Sequence, residues 1–193
     1  MRARREELRA AVADTGADAR VRVAAVGALV RGGTKAEARR AWRAAAGDGD
    51  VVLRRRAAEL APRVPEPPAA AVLALLDDGD ALVREAACFA AGEIGWRDAD
   101  RDAVVTALVD DAGDRDALVR EAAVAALGAI GDPAGRPAVL TACGDRPAVR
   151  RRAVLALASF DGPEVEAALE RALEDPDWQT RQAAEDLTVR PPD

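Results

Sequence analysis

The sequence predicts an all-α solenoid of six helical hairpins, and three observations carry the prediction. A short string centred on an arginine recurs six times along the 193 residues. Apolar residues within and before each copy follow the 3.6-residue period of amphipathic helices. No segment shows the two-residue alternation of β-branched side chains that marks a strand. The chain is 50% hydrophobic but only 3% aromatic, so Ala, Val and Leu must close the interior at short distances between helices.

The self-similarity is clearest between Asp80–Gly95, DALVREAACFAAGEIG, and Asp116–Gly131, DALVREAAVAALGAIG. The same frame returns as DARVRVAAVGAL from Asp18, DVVLRRRAAELA from Asp50, RPAVRRRAVLAL from Arg146 and DWQTRQAAEDL from Asp177. One arginine per copy sets the register: Arg22, Arg54, Arg84, Arg120, Arg150 and Arg181, at spacings of 32, 30, 36, 30 and 31 residues. Such spacing suits helical hairpins with variable loops. Asp18, Asp50, Asp80, Asp116 and Asp177 each stand four residues before the arginine, where an aspartate caps a helix and shares a face with the residue one turn on.

A second amphipathic segment precedes each copy. The first hairpin begins with Leu8 and Val12, the second with Ala38 and Trp42, and the third with Val72, Leu75 and Leu76. The fourth begins with Val104, Leu108 and Val109, the fifth with Val139 and Leu140, and the sixth with Val165, Leu169 and Leu173. The arginine-centred helices carry matching core stripes, such as Val83, Ala87, Ala90, Ala91 and Ile94, or Val119, Ala123, Ala126, Leu127 and Ile130. Stops at Gly32 and Gly33, Pro62 and Pro65, Gly95, Gly131 and Pro133, and Gly162 and Pro163 separate the elements. The expected repeats are approximately 1–31, 33–63, 65–95, 98–131, 134–161 and 163–188, and with no long linker a single domain over 1–193 is expected.

Copies such as DALVREAAVAALGAIGDP (Asp116–Pro133) and DRPAVRRRAVLALASF (Asp145–Phe160) resemble the second helix of HEAT repeats, in particular the compact class named after phycobilisome lyases. The resemblance covers essentially the whole chain. It implies a right-handed α-solenoid of six HEAT-like hairpins, with second helices on a concave face and first helices on the convex back. It also implies that the repeated arginines are a structural ladder, bonding carboxylates of their own and neighbouring repeats. Members of the family act mostly as scaffolds or adaptors, some handle bilin pigments, and a divergent group are glycosylases that excise alkylated bases from DNA. A fold reused so widely assigns no chemistry by itself.

Missing residue types restrict mechanism. There is no His, Tyr or Asn, and Ser159 is the only serine, which excludes Ser-His-Asp and Cys-His catalysis and any zinc site with histidine. No catalytic set, metal or cofactor is therefore expected. Cys88 and Cys143 read as reduced core thiols. Asp98, Asp100 and Asp102 have the opening spacing of a calcium loop, but Ala103 stands where glycine is required and Val109 where the bidentate glutamate belongs. No apolar run approaches the ~20 residues that span a bilayer, and the charged N-terminus lacks the apolar segment of a signal peptide, so a cytoplasmic protein is expected.

Candidate function rests on the positions the core leaves free. The residue after each anchor arginine is expected on the concave face: Val23, Arg55, Glu85, Glu121, Arg151 and Gln182. One turn on come Gly27, Glu59, Phe89, Ala125, Leu155 and Asp186. Phe89, Ala125 and Leu155 would form an apolar floor beside Glu85, Glu121 and Arg151, the arrangement of a protein-binding patch. Two alternatives stay open at this stage: Phe89 as an exposed anchor or tilted into the core, and Trp96 as cover for the same edge or a plug in the stack.

The expected function is a non-catalytic scaffold or adaptor that binds a protein through Glu85, Phe89, Trp96, Glu121, Arg151 and Leu155, monomeric or weakly self-associating. The alternative is a HEAT-like enzyme, such as a DNA-alkylation glycosylase or a bilin-lyase-like ligand handler. Residues 1–63 carry 15 basic and 8 acidic groups, residues 64–135 carry 5 and 15, and residues 136–193 carry 8 and 11. An acidic middle argues against nucleic acid, whose phosphates dominate affinity.

Overall fold

The structure, a computed structural model, describes residues 2–188. Among these residues there are twelve α-helices and no strand: α1 (Arg2–Ala13), α2 (Ala19–Gly32), α3 (Lys35–Ala46), α4 (Val51–Leu60), α5 (Ala69–Leu76), α6 (Ala81–Glu93), α7 (Asp98–Asp111), α8 (Ala117–Ile130), α9 (Arg136–Ala142), α10 (Pro147–Ala156), α11 (Pro163–Leu173) and α12 (Trp178–Thr188). Single 3-10 turns extend α4 and α10 and lead into α9. Consecutive helices pack in pairs, giving the six helical hairpins of an all-α repeat architecture. Packing divides the chain into two compact units, 1–94 with α1–α6 and 95–193 with α7–α12.

The second helix of most pairs starts where local chemistry says it should. Asp18, Asp50, Asp80 and Asp116 are the N-caps of α2, α4, α6 and α8, each accepting the amide two residues on at 2.7–2.9 Å. Before α12 the Asp177 carboxylate accepts both the amide and the hydroxyl of Thr180 at 2.9 Å. Each such cap satisfies an orphan donor and contributes about 1 kcal/mol. α10 has no acidic cap and instead begins on Pro147, whose missing amide costs nothing there. α8 stops at Gly131, in the left-handed region at φ 67°, where its amide closes the last turn on the Leu127 carbonyl.

In the first unit the core is built from Val26 and Leu29 of α2, Trp42 of α3, Leu53 and Leu60 of α4, Leu75 and Leu76 of α5 and Val83 of α6, all fully buried. Trp42 keeps its indole N–H satisfied by donating to the Ala57 carbonyl at 2.7 Å. Cys88 is buried here and takes part in no disulfide among the described residues.

The second unit buries Val104 and Leu108 of α7, Val119, Ala123 and Leu127 of α8, Val139 of α9 and Val149 of α10. Its end is a cluster of Val154, Ala172, Ala183 and Ala184 edged by Leu169, Leu173 and Leu187. Helices α8 and α10 cross so closely that a Cβ added at Gly128 would lie 2.5 Å from the Ala156 Cβ. Cys143 corrects the expectation of a core position: it is only half-buried at the edge of this cluster. Burial still pushes its thiol up to about 11, so it stays protonated at neutral pH.

Asp98, Asp100 and Asp102 lie on α7 rather than in a loop, because without the glycine nothing turns the chain around an ion. Among the described residues no group of three His, Cys, Asp or Glu side chains is placed to hold a metal, and no helix is long and apolar enough to cross a membrane.

Candidate functional site

The repeated arginines reach forward along the chain. Arg54 donates from Nε and Nη2 to the Asp78 carboxylate at 2.6 and 3.1 Å and from Nη1 to the carbonyls of Asp48 and Gly49 at 3.0 Å. Arg22 grips Asp48 in the same two-pronged way. In the second unit Arg120 holds Asp145 at 2.6 and 2.8 Å, and Arg150 holds Asp175 at 2.6 and 2.7 Å. Arg84 donates to the Asp78 carbonyl at 2.7 Å and Arg181 to the Asp175 carbonyl at 2.5 Å. Arg54, Arg84, Arg120, Arg150 and Arg181 thus close their own loops, and Arg22, Arg54, Arg120 and Arg150 tie in the loop before the next second helix.

The carboxylates held by Arg22, Arg54, Arg120 and Arg150 are those of the neighbouring repeat and not the aspartate four residues earlier. That aspartate is turned back onto the first amides of its helix, while the planar guanidinium, with its fixed fork, points across to the next loop. The true acceptors lie 24 to 26 residues on. A signal for them was available: a further aspartate six residues before the anchor at Asp48, Asp78, Asp114 and Asp175, and five before it at Asp145. Most of these also accept the amide two residues on, at 2.7–2.9 Å, which pins the loop. The arginine hydrogen bonds hold the carboxyls of Asp48, Asp78, Asp145 and Asp175 below the ordinary aspartate range, against the opposing effect of burial.

In the first unit Leu82, Glu85, Phe89 and Glu93 follow one another along a single face of α6, three or four residues apart. Phe89 is 43% exposed, and Leu82 is exposed beside it. Phe89, Glu85 and Glu93 line a groove of about 270 Å³ whose α4 side carries Arg55, Glu59 and Pro62. Glu59 is already engaged, 3.4 Å from Arg55 and 2.8 Å from Arg56.

In the second unit α8 presents Leu118 and Glu121, and α10 presents Arg151 and Leu155, the last 40% exposed. Here the charges are answered within the unit: Arg152 lies 3.6 Å from Glu121, and Arg151 donates to the Gln179 Oε1 at 2.5 Å. Trp178, at the start of α12, is 64% exposed.

Several expected surface positions turn out differently. Trp96 is only 8% exposed, so its indole plugs the interior and leaves the candidate surface. The loop around it is held by Arg101, which donates to the Trp96 carbonyl at 3.2 Å. Gly27 is buried beneath the guanidiniums of Arg31 and Arg56, and Ala125 is half-buried. The apolar floor therefore reduces to Phe89 in the first unit and Leu155 in the second. Sequence reasoning missed Val52, Leu82 and Leu118, all exposed two residues before an anchor arginine. The helical period places Leu82 and Phe89 on the same face as Glu85, three and four residues away.

A family model for HEAT repeats matches residues 69–148 and 140–186. No curated protein matches the sequence. Among solved structures, Escherichia coli YibA is 21% identical, with a TM-score of 0.71 over 93% of this chain and 67% of its own. A designed armadillo repeat protein in complex with the peptide (KR)4 is 15% identical, with a TM-score of 0.68 over 94% of this chain and 96% of its own. Human deoxyhypusine hydroxylase in complex with glycerol is 21% identical, with a TM-score of 0.51 over 95% of this chain and 72% of its own. At these identities the likenesses establish a repeat-solenoid fold, one that serves both a peptide binder and an enzyme.

Proposed function

The chain belongs to the HEAT-repeat family, and from that premise we propose that it is a non-catalytic protein-binding scaffold whose second helices carry the contact residues. These are Glu85 and Phe89 in the first unit, and Glu121, Arg151 and Leu155 in the second. The observation that carries the reading is the exposure of Phe89 at 43% on the wall of a groove, in a chain that buries Trp42, Trp96 and Phe160 to 8% or less and otherwise exposes only Trp178 among its aromatics. Burying a phenylalanine side chain contributes roughly 1.5–3 kcal/mol, and here that gain is left for an occupant of the groove. A half-exposed aromatic ringed by charge is the usual anchor of a protein interface. The designed armadillo protein, bound to a peptide on the same kind of scaffold, supports the reading by fold alone.

The resemblance of Asp116–Pro133 and Asp145–Phe160 to the compact class named after phycobilisome lyases supports membership of that class. An enzyme on this scaffold, such as an alkylated-base glycosylase or a bilin handler, is less well supported. Trp42 is buried with its N–H already spent on Ala57, and Trp178 stands far along α12 from Asp186, whose carboxylate accepts from Gln182 at 2.9 Å.

Capture of binding proteins from the native cell tests the surface. Wild type is expected to retain a partner that Phe89→Asp and Arg151→Glu lose, and a partner kept by both variants overturns the choice of surface.

A further inference from the structure

On α6 the half-exposed Phe89 ring stands between two carboxylates, Glu85 one turn before it and Glu93 one turn after, all on one helical face. All three border the same groove. On the facing α4 wall Glu59 is paired with Arg55 and Arg56, and among the lining residues Arg55 is the one cation against the carboxylates of Glu59, Glu85 and Glu93. Within the described residues Glu85 and Glu93 have no hydrogen bond or ion pair of their own. The charge left uncompensated beside the aromatic ring is therefore negative.

An aromatic face flanked by unanswered carboxylates recognises cations. The ring quadrupole attracts a positive group placed over it, and carboxylates accept charge-assisted hydrogen bonds from guanidinium or ammonium. Size narrows the ligand. At about 270 Å³ the groove has room for one side chain of an extended segment. The exposed Leu82, one turn before Glu85, offers an apolar contact to the neighbouring part of such a segment.

We propose that this α6 groove binds a basic peptide segment of a partner protein, one arginine or lysine side chain packing on Phe89 between Glu85 and Glu93. The proposal rests on the protein-binding reading and specifies the chemistry of the partner. Arg55 stays paired with Glu59 and rims the groove, so the acidic row of α6 sets its preference.

Fluorescence polarisation with the full chain tests it, using a labelled octapeptide of alternating Lys and Arg and a matched one of alternating Asp and Glu. The basic peptide binds and the acidic one does not. The double variant Glu85→Gln/Glu93→Gln weakens binding about tenfold, and Phe89→Leu, which keeps bulk but loses the ring face, weakens it about fivefold. The control Glu166→Gln/Glu170→Gln removes the same charge from exposed sites on α11 and leaves affinity within about twofold. Circular dichroism checks that each variant keeps its helices.

Failure of wild type to bind the basic peptide, an equal loss in the control pair, or no loss from Phe89→Leu overturns the proposal. If the basic peptide fails while partner capture still depends on Phe89, only the cation preference falls and the scaffold reading stands. If capture ignores Phe89 and Arg151, the scaffold surface falls independently of the peptide result.

Discussion

Glu85 of the first unit and Glu121 of the second occupy the same place in identical DALVREAA strings, yet Glu121 lies 3.6 Å from Arg152 while Glu85 has no counterion among the described residues. One turn on, the first unit exposes Phe89 and the second half-buries Ala125. The anchor arginines Arg54 in the first unit and Arg120 and Arg150 in the second behave alike, each forked onto an aspartate at 2.6–3.1 Å. The repeat thus specifies the scaffold, and differences in recognition lie in the positions between its repeated residues.

The ladder offers the largest test of that equivalence. Arg54→Ala and Arg120→Ala are each expected to cost about 3 kcal/mol in denaturant unfolding, because a carboxylate is left without its partner. Arg54→Ala should cost the more of the two, since it strands Asp78 with its side chain 6% exposed, against 22% for Asp145. The reverse order would break the account of the ladder.

Two glycines sharpen the comparison at the next scale. Gly128→Ala drives a Cβ into the backbone and Cβ of Ala156, at 2.8 and 2.5 Å, and should destabilise by about 1–3 kcal/mol. Gly27→Ala meets only the movable tips of Arg31 and Arg56, at 3.1 and 3.5 Å, and gains helix propensity, so its melting temperature should hold or rise slightly.

Acid should act on both units together. The ladder aspartates have folded pKa values below their unfolded ones, so their contribution is complete above the unfolded value of about 3.9 and is lost as pH falls through the folded values. Thermal melts are expected to be level from neutral pH to about 5 and to fall below about 4. Asp78→Asn should be less stable at neutral pH and show a shallower acid decline; an unchanged slope removes Asp78 from the linkage.

The smallest effects belong to the exposed rows. Glu85→Gln and Arg151→Ala should each change stability by less than about 0.5 kcal/mol, the second losing only a surface bond to Gln179. A larger loss for Arg151→Ala would assign that residue to the scaffold and take it off the binding surface.

Much of this architecture was legible because it is local. Helix period, glycine and proline stops and the capping role of Asp18, Asp50, Asp80, Asp116 and Asp177 depend on residues within a turn or two of one another, and the arginine register follows from repetition alone. Trp96 resisted sequence reasoning because an aromatic after a glycine can cover an edge or fill a core, and only the packing around it chooses. The ladder acceptors resisted for a different reason: a guanidinium reaches several ångströms, and two aspartates two residues apart in one loop compete for it until the next hairpin is in place.

The sequence by itself therefore determined six hairpins, their register and their caps, all consequences of short-range periodicity and hydrogen bonding. Only the tertiary structure decided which aspartate Arg22, Arg54, Arg120 and Arg150 hold, that Trp96 is core and Phe89 is surface, and that among the described residues Glu85 is unpaired where Glu121 is not. Those outcomes depend on side chains brought together from about 25 residues or more away, where identical local strings meet different neighbours.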